Sequence, residues 1–401
     1  MRSLVVSRAP TRFAAARLLS RYAVERAVES GPLTLRDGPA KNLPSPEWRR
    51  VTPLLSGICG SDLATVFFET SRYFEPLTSF PFTPGHEAVV ELSDEPGTRY
   101  VLEPALTCSV RGVPLCGACT RGETELCSNI TLGDLSEGIQ TGYCSSTGGA
   151  WSTEFIAHLS TLHRLPEEYT LEDSVMIEPF ACAIHAALRP AKRAGSLAVI
   201  GAGTVGLSIL AAARALGCYS SITIAAKHPI QREIAGQLGA DAVIQPGELA
   251  RRARRTVPSN RAGRYIGGGF DVVIDAVGSS NSLETAILGV VPGGEVVVAG
   301  MPGTTHLDLA PLWHREVTVK GSYAYGTESL GPEIASRLGQ PSLVRTFSLA
   351  IALASTANIG RMVTHRYRLA DYVEAVAKAR AGGREDAVKV VFDIRKVKHD
   401  G

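Results

Sequence analysis

The sequence predicts an α/β protein with a β-rich first domain and a second domain built on a doubly wound parallel sheet. Three observations support this prediction. Short apolar segments separated by Pro and Gly fill about the first 165 residues without regular helix alternation. Strand and helix patterns alternate from about residue 178. A glycine-rich turn at 201–206 joins the first strand of that alternation to the first helix.

Composition narrows the class of protein. The chain has 401 residues, of which 45% are hydrophobic, so it can form two domains with substantial cores. Its 41 basic and 39 acidic residues leave a net charge of +2, which predicts a small-molecule partner and no nucleic acid. No apolar run reaches the roughly 18 residues of a membrane-spanning helix, so we expect no membrane partner. The basic run 251–255 is interpreted as a solvated helix face rather than a polyanion site.

The N-terminal residues and the cysteines bear on location. Residues 1–26 are Arg-rich and poor in acidic residues, which faintly resembles a transit peptide, but MRSLVV is better interpreted as an opening strand. Five of the eight cysteines lie in metal-type positions, and the others are scattered without disulfide-like spacing. This usage suits a reducing compartment and predicts a cytoplasmic protein.

The alternating region sets the expected domain boundaries. Strand patterns such as LAVIGAG and FDVVIDAVG alternate with helix patterns such as TVGLSILAAARALG. After about Tyr325 the alternation loosens, and the last strand candidate, VKVVFDI, is expected to return to the first domain. We therefore predict a first domain over 1–177, a nucleotide-binding domain over 178–325 and a returning segment over 326–401.

The glycine-rich turn predicts a dinucleotide site. A GxGxxG pattern alone is a weak signal, and an ordinary strand-to-helix turn is the alternative, but this one follows an apolar strand and opens an Ala-rich helix. The glycines permit a tight turn, a close approach of backbone to a pyrophosphate and close packing of helix on strand. The candidate contacts are Gly201, Gly203, Thr204, Val205 and Gly206, together with a later turn formed by Ala276, Val277 and Gly278.

The end of the second strand of this domain bears on which nicotinamide cofactor binds. NAD sites usually place an acidic side chain there, about 20 residues after the glycines, to bind the ribose hydroxyls. This chain has Ala226, followed by Lys227 and His228, with Arg232 one turn further. Cations at this position suit a 2′-phosphate, so we favour NADP over NAD, with solvated cations and an NAD site as the alternative.

Four cysteines predict a structural zinc site. Cys108, Cys116, Cys119 and Cys127 are separated by seven, two and seven residues in a Gly- and Pro-containing loop. Four thiolates form a closed tetrahedral set with no open position for substrate. Unligated or redox cysteines are the alternative.

A second set of candidate ligands is chemically mixed. It combines a thiol, an imidazole and two carboxylates from distant segments: Cys59, His86, Glu87 and Glu178. Mixed ligands that leave a position for water suit a catalytic zinc. Each residue alone is commonly structural, and Glu178 has the alternative of capping the helix that begins near Pro179.

Taken in order, these motifs resemble the zinc-containing medium-chain dehydrogenase/reductase family, and within it the sorbitol and threonine dehydrogenase branch. The resemblance covers nearly the whole chain. It rests on GICGSDL at 57–63, PGHE at 84–87, the cysteine loop at 108–127, IEPFACAIHA at 177–186 and VIGAGTVGL at 199–207. It implies a GroES-like catalytic domain, a Rossmann nucleotide-binding domain and two zinc ions.

The resemblance also implies a role for each matching residue. Cys59 and His86 become ligands of the catalytic zinc, and either Glu87 or Glu178 supplies a carboxylate. Asp62 matches the aspartate that orients the metal-bound histidine, and its alternative is a turn cap. Ser61 matches the hydroxyl that contacts the substrate oxygen and passes its proton outward.

Two departures from the family pattern affect the site. Ala64 stands where many relatives carry a histidine that completes the proton relay, so the relay must use water or another residue. The first gap of the cysteine loop has seven residues, SVRGVPL, where two are commoner in the family. The loop is therefore expected to bulge there.

We therefore expect a zinc-dependent, NADP-dependent oxidoreductase that acts on a secondary alcohol, polyol or sugar, or on the matching carbonyl compound. Family analogy implies a homodimer or homotetramer. A zinc-independent reductase of activated double bonds and a catalytically silent nucleotide-binding protein are the alternatives. The joint presence of Cys59, His86 and Ser61 argues against both.

Overall fold

The protein, in a computed structural model, folds into two compact units. The structure describes residues 1–191, 193–256, 261–262 and 265–395. One unit contains Met1–Glu178 and the segment that begins at Val363, and the other contains Pro179–Met362. The boundary expected at 325/326 is therefore corrected to 362/363. The last six residues of the expected returning segment, 396–401, lie outside the described residues.

A buried helix explains the corrected boundary. The loosened pattern after Tyr325 contains an apolar helix, Thr346–Ala354, that belongs to the second unit. Its Phe347 is fully buried and packs against Tyr325, with the ring centroids 5.2 Å apart. Burial of these aromatic rings retains the segment in the second unit.

The described residues form nineteen β-strands. In chain order they are β1 Arg2–Val6, β2 Leu33–Asp37, β3 Trp48–Gly57, β4 Ala88–Leu92, β5 Glu95–Leu102, β6 Phe155–His158, β7 Leu162–Arg164, β8 Ser196–Ile200, β9 Ser221–Ala225 and β10 Ala242–Ile244. They continue with β11 Arg261–Ala262, β12 Tyr265–Ile266, β13 Phe270–Asp275, β14 Val290–Val298, β15 Thr318–Gly321, β16 Thr327–Ser329, β17 Leu343–Arg345, β18 Val363–Tyr367 and β19 Lys389–Asp393.

The described residues also form fourteen α-helices. They are α1 Pro10–Leu19, α2 Val24–Ser30, α3 Gly60–Val66, α4 Gly117–Thr120, α5 Leu171–Val175, α6 Ile177–Leu188, α7 Thr204–Leu216, α8 Pro229–Gln237, α9 Leu249–Thr256, α10 Ser280–Gly289, α11 Ala310–His314, α12 Pro332–Leu338, α13 Thr346–Ala354 and α14 Tyr372–Ala381. Short 3-10 helices lie at Arg72–Leu77, Thr124–Leu126, Leu159–Thr161, Pro246–Glu248, Ile359–Met362, Leu369–Asp371 and Gly382–Glu385. No described helix is both long enough and apolar enough to cross a membrane.

A mixed sheet forms the centre of the first unit. Its strands run in the order β18-β19-β3-β4-β5-β7, and β6 also pairs with β3. The pairs β19-β3, β3-β4, β4-β5 and β5-β7 are antiparallel, whereas the pair β18-β19 is parallel. Apolar side chains of β3, β4 and β6, including Val51, Val90 and Phe155, form one of its cores. The β-rich prediction is confirmed, and the returning strand β19 lies inside the sheet.

The N-terminal segment begins with the expected strand. β1 pairs antiparallel with β2, with Leu4 opposite Leu35. The residues between these strands form α1 and α2, which the strand prediction did not include. Leu4, Phe13 and Val28 contribute to the same buried cluster as Phe392 of β19, so the segment is an integral part of the first unit.

The second unit is a doubly wound parallel sheet. Its strand order is β10-β9-β8-β13-β14-β15, and every pair in it is parallel. Strand β8 is apolar and mostly buried because helices cover both faces of such a sheet. The order reverses beside β8, which is where such folds bind nucleotides at the carboxyl ends of the strands. The predicted Rossmann architecture is confirmed.

Candidate active site and cofactor site

Three predicted zinc ligands converge in the first unit. One ligand atom each from Cys59, His86 and Glu87 lie within 4.8 Å of one another. Cys59 follows β3, whereas His86 and Glu87 directly precede β4. Because β3 and β4 are antiparallel neighbours, the end of one strand lies beside the start of the other, and the Gly57 amide donates to the Glu87 carbonyl oxygen at 2.8 Å. Strand pairing thus brings residues distant in sequence into one cluster.

Asp62 holds the histidine and also caps α3. One of its carboxylate oxygens accepts a hydrogen bond from the Cys59 amide at 3.0 Å, and the other lies 3.5 Å from Nδ1 of His86. Both side chains are nearly fully buried. Burial lowers the pKa of His86, but Asp62 and Cys59 outweigh it and hold this pKa well above its usual 6.5. Since Nδ1 faces Asp62, Nε2 is the nitrogen left to bind a metal.

Glu87 is paired with a lysine that the sequence analysis did not identify. Lys389, the first residue of β19, forms an ion pair with Glu87, and each side chain is only 1% exposed. Lys389 Nζ also donates to the Ile58 carbonyl oxygen at 3.2 Å. Burial lowers the pKa of Lys389, but the charges of Glu87, Cys59 and Glu178 together outweigh burial, and this pKa is raised. The sequence offers one signal, a lysine that interrupts the mostly apolar segment VKVVFDI.

Glu178 lies outside the three-residue cluster. Among the described residues, the group whose ligand atoms meet within 4.8 Å contains Glu87 and not Glu178. The Glu178 side chain is buried, and its negative charge helps to raise the pKa of Lys389. Of the two predicted carboxylates, Glu87 therefore has the geometry of a ligand, and Glu178 adds negative charge nearby.

The donor set of the cluster fits zinc. One thiol, one imidazole and one carboxylate are the ligand types that Zn²⁺ prefers. Three protein ligands leave one tetrahedral position for water or a substrate oxygen, as catalytic sites require. Ser61, in the first turn of α3 and two residues after Cys59, is half-buried beside the cluster.

The four cysteines of the loop form a second cluster. The sulfur atoms of Cys108, Cys116, Cys119 and Cys127 all lie within 4.8 Å of one another, and those of Cys108 and Cys127 are 3.5 Å apart. Hydrogen bonds from the backbone of Cys119 and Ser128 lower the pKa of Cys116 to about 5. Burial raises the pKa of Cys119 and that of Cys127. Four sulfur donors fit a closed structural zinc site.

The bulge SVRGVPL contains a buried arginine that the sequence analysis did not identify. Arg111 is 1% exposed. Its guanidinium donates to five backbone carbonyl oxygens over 2.7–3.2 Å, those of Leu106, Leu132, Leu135, Ser136 and Gly138. The longer gap between Cys108 and Cys116 therefore accommodates a side chain that ties the cysteine loop to the segment after it.

The glycine-rich turn of the second unit has the predicted geometry. Gly201 has φ 94°, which favours glycine, and a Cβ at Gly206 would lie 1.9 Å from the Gly201 carbonyl oxygen. A Cβ at Gly203 would meet no atom within 4 Å, so its backbone is open to a ligand. Helix α7 begins at Thr204 without a side-chain cap, as anion-binding helix N-termini do.

The predicted segment after β9 lies at the same sheet edge as the glycine-rich turn. Ala226 directly follows β9 and is buried, whereas Lys227 is exposed. Arg232 donates from Nη1 to the Lys227 carbonyl oxygen at 2.8 Å. His228 is the N-cap residue of α8, and its amide donates to Oε1 of Gln231 at 3.2 Å.

The turn after β13 is held by a buried aspartate. The Asp275 carboxylate accepts from the amides of Val277 at 2.9 Å and Gly278 at 3.2 Å. A Cβ at Gly201 would lie 2.5 Å from a methyl group of Val277, so the turn containing Ala276, Val277 and Gly278 lies against the glycine-rich turn. Burial raises the pKa of Asp275 although these hydrogen bonds oppose it. Its position at the end of an apolar strand could have signalled this role.

Known protein families and solved structures share this architecture. Residues 45–167 match the model of the alcohol dehydrogenase GroES-like domain, and residues 204–338 match that of the zinc-binding dehydrogenase. Sorbitol dehydrogenase of Bombyx mori is 28% identical over 354 residues, which cover 84% of this chain and 89% of the relative. Sorbitol dehydrogenase of Rattus norvegicus is 28% identical over 378 residues, which cover 88% and 92%. The fold of galactitol-1-phosphate dehydrogenase from Escherichia coli superposes with a TM-score of 0.69 at 20% identity, covering 98% of this chain and 100% of that one.

Proposed function

Because the chain belongs to the zinc-containing medium-chain dehydrogenase/reductase family, in its sorbitol dehydrogenase-like branch, we propose that it transfers hydride between NADP(H) and a secondary alcohol, polyol or sugar, or the matching carbonyl compound. As an alcohol or polyol dehydrogenase it uses zinc and a nicotinamide cofactor. The observation that carries the proposal is the convergence of Cys59, His86 and Glu87 within 4.8 Å.

Several residues of the first unit have separate roles in alcohol oxidation. When bound to Cys59, His86 and Glu87, zinc would lower the pKa of an alcohol hydroxyl towards neutrality. Asp62 orients His86. Ser61 accepts the alcohol proton while it passes its own hydroxyl proton outward to water or another residue. Lys389 neutralises the buried charge of Glu87 and limits the negative charge that a substrate oxygen meets. In the reverse reaction Ser61 returns the proton to the carbonyl oxygen.

The preference for NADP rests on the end of β9. Ala226 offers no carboxylate for the ribose hydroxyls, and Lys227 and the half-buried Arg232 supply positive charge there. A charge-assisted hydrogen bond to a 2′-phosphate is worth about tenfold or more in affinity. Lys227→Ala should therefore raise the dissociation constant of NADPH about tenfold and change that of NADH little. Equal effects on both cofactors would contradict the preference.

Metal content tests the catalytic site. We expect about two zinc ions per chain by elemental analysis. Cys59→Ser should retain about one and lose the oxidation of secondary alcohols, because the loop cluster binds its zinc independently. Cys144→Ser is the matched control, since Cys144 is a free, buried cysteine outside both clusters. It should keep both ions and its activity.

A different zinc content would support one of the two alternative functions. A single zinc ion that Cys59→Ser leaves in place would remove the catalytic metal from the proposal. Turnover of activated double bonds would then indicate a zinc-independent reductase, and no turnover would indicate a silent nucleotide-binding protein.

We propose a cytoplasmic homodimer or homotetramer. The absence of disulfide-like spacing among the cysteines supports the location, and family analogy supports the assembly. Light scattering coupled to size-exclusion chromatography would measure the number of chains, and a monomer would contradict the assembly.

A further inference from the structure

Trp151 is a fully buried tryptophan that bonds to both chain segments from which the ligands of the catalytic cluster come. Its indole Nε1 donates to the Gly57 carbonyl oxygen at 3.1 Å, two residues before Cys59. Its backbone amide donates to the Pro84 carbonyl oxygen at 3.0 Å, two residues before His86. A single residue therefore links the two ligand segments.

These two hydrogen bonds lie beyond the end of the ladder between β3 and β4. That ladder pairs residues as far as Ser56 with Ala88, and Cys59 and His86 both lie outside it. Backbone outside a ladder lacks the repeated hydrogen bonds that hold two strands at a fixed spacing. Trp151 supplies a link at this place, because its side chain bonds to one segment and its backbone to the other.

The indole ring also packs against the backbone next to His86. Gly85, which directly precedes His86, has φ 98°, and a Cβ there would lie 2.5 Å from Cδ1 of Trp151. The Ala150 amide donates to the Gly85 carbonyl oxygen at 2.9 Å. Glycine permits both this φ and the close approach of the ring.

Two further strands of the first unit hold Trp151 in place. Its ring makes a T-shaped contact with the fully buried Phe392 of β19, with the ring centroids 5.2 Å apart. Its carbonyl oxygen accepts from the Leu4 amide of β1 at 2.9 Å. A side chain whose own position is locked by packing can hold the groups to which it bonds.

We propose that Trp151 is a positioning residue that sets the separation of Cys59 from His86 and Glu87 and thereby the affinity of this cluster for zinc. The inference rests on the proposed function, because it assumes that the cluster holds the catalytic zinc. Metal sites require their ligand distances to within about 0.2 Å, and residues that orient ligands change metal affinity about tenfold to a hundredfold when they are substituted.

Trp151→Phe tests the proposal because it removes the Nε1 donor and keeps an aromatic ring. Zinc uptake is measured over a series of chelator-buffered zinc concentrations, and the step that Cys59→Ser removes is assigned to the catalytic cluster. The dissociation constant of this step should rise about tenfold, whereas that of the cysteine loop should change less than about threefold. A wild-type circular dichroism spectrum would show that the variant is folded at the temperature of the measurement.

Trp48→Phe is the matched control. Trp48 is also a buried tryptophan of the first unit, but it is the first residue of β3 and packs in a separate core with Leu106 and Leu135. The substitution removes the same volume from a buried position. Because this core is separate, the dissociation constant of the catalytic step should stay within about threefold of the wild-type value.

Fluorescence gives a second readout that leaves Trp151 unchanged. The chain has three tryptophans, so Trp48→Phe/Trp313→Phe retains only Trp151. Its emission should change as zinc fills the catalytic cluster, and the further substitution Cys59→Ser should abolish this change. If Trp151→Phe does not fold, an emission that is the same with and without catalytic zinc would overturn the proposal.

Two results would overturn the inference alone, in a wild type that binds two zinc ions. One is an unchanged catalytic dissociation constant in Trp151→Phe, and the other is an equal rise in Trp48→Phe, which would indicate a general loss of packing. A wild type that takes up one zinc ion would overturn both the catalytic metal of the proposed function and this inference. Two zinc ions without oxidation of any alcohol would contradict the proposed function only.

Discussion

Lys389 and Glu87 form a buried ion pair that links the returning strand to the catalytic cluster. Glu87 directly precedes β4 and Lys389 is the first residue of β19, with β3 between the two strands. A carboxylate that is 1% exposed needs a positive partner, because charge is poorly solvated in a protein interior. The pair therefore makes the position of a candidate zinc ligand depend on a residue near the C-terminus.

Removal of the lysine should be costly. We expect Lys389→Met to lower the free energy of unfolding of the metal-free protein by about 3–5 kcal/mol, because it leaves Glu87 buried and unpaired. Urea denaturation measures the change. The double variant Lys389→Met/Glu87→Gln should recover part of the loss, since no unpaired charge remains. Equal stability of Lys389→Met and the wild type would contradict this account of the pair.

Two independent sets of interactions stabilise the conformation of the cysteine loop. The sulfur cluster joins Cys108 to Cys127, and the Arg111 guanidinium binds carbonyl oxygens on both sides of that stretch. A 20-residue loop with only the short helix α4 and one 3-10 turn has little apolar core of its own, so such anchors hold its conformation.

Substitution of Arg111 tests the contribution of its hydrogen bonds. Arg111→Met should lower the free energy of unfolding by about 3 kcal/mol, because several buried carbonyl oxygens lose a charged donor. Thermal unfolding in the presence of zinc measures the change. Arg121→Met is the control, since Arg121 is an exposed arginine of the same loop that pairs with Glu123. It should melt with the wild type, and equal effects of the two substitutions would contradict a special role for Arg111.

The whole molecule contains one continuous and one discontinuous unit. Pro179–Met362 forms a complete parallel sheet from a single stretch of chain. The first unit needs the C-terminal segment, because β19 lies between β18 and β3 within its sheet. Val391 and Phe392 of β19 are fully buried.

Fragments should therefore behave differently. We expect residues 179–362 to fold alone, with native-like circular dichroism and measurable NADPH binding. We expect residues 1–178 alone to remain unfolded or to aggregate, since the end of β3 at 55–57 becomes an open sheet edge and Glu87 loses Lys389. Addition of residues 363–401 through a flexible linker should restore cooperative unfolding. A folded 1–178 fragment would contradict the structural role assigned to β19.

Much of the architecture follows from local patterns in the chain. The alternation of strands and helices, the glycine-rich turn at 201–206 and the cysteine spacing each predict their structure because the decisive contacts lie within a short stretch. The domain boundary was misplaced because the contacts that decide it join residues far apart in the chain. Helix α13 is apolar, and which sheet buries it is not encoded in its own periodicity.

Long-range contacts account for what the local patterns missed. The amino-acid sequence was sufficient to identify a zinc-type dehydrogenase, its candidate ligands and its nucleotide turn, because these signals are short and ordered. The fold was needed to place Glu87 rather than Glu178 with Cys59 and His86, and to bring Lys389 and Trp151 to the segments of that cluster. Strand pairing and burial select those neighbours, and both depend on residues far apart in the chain.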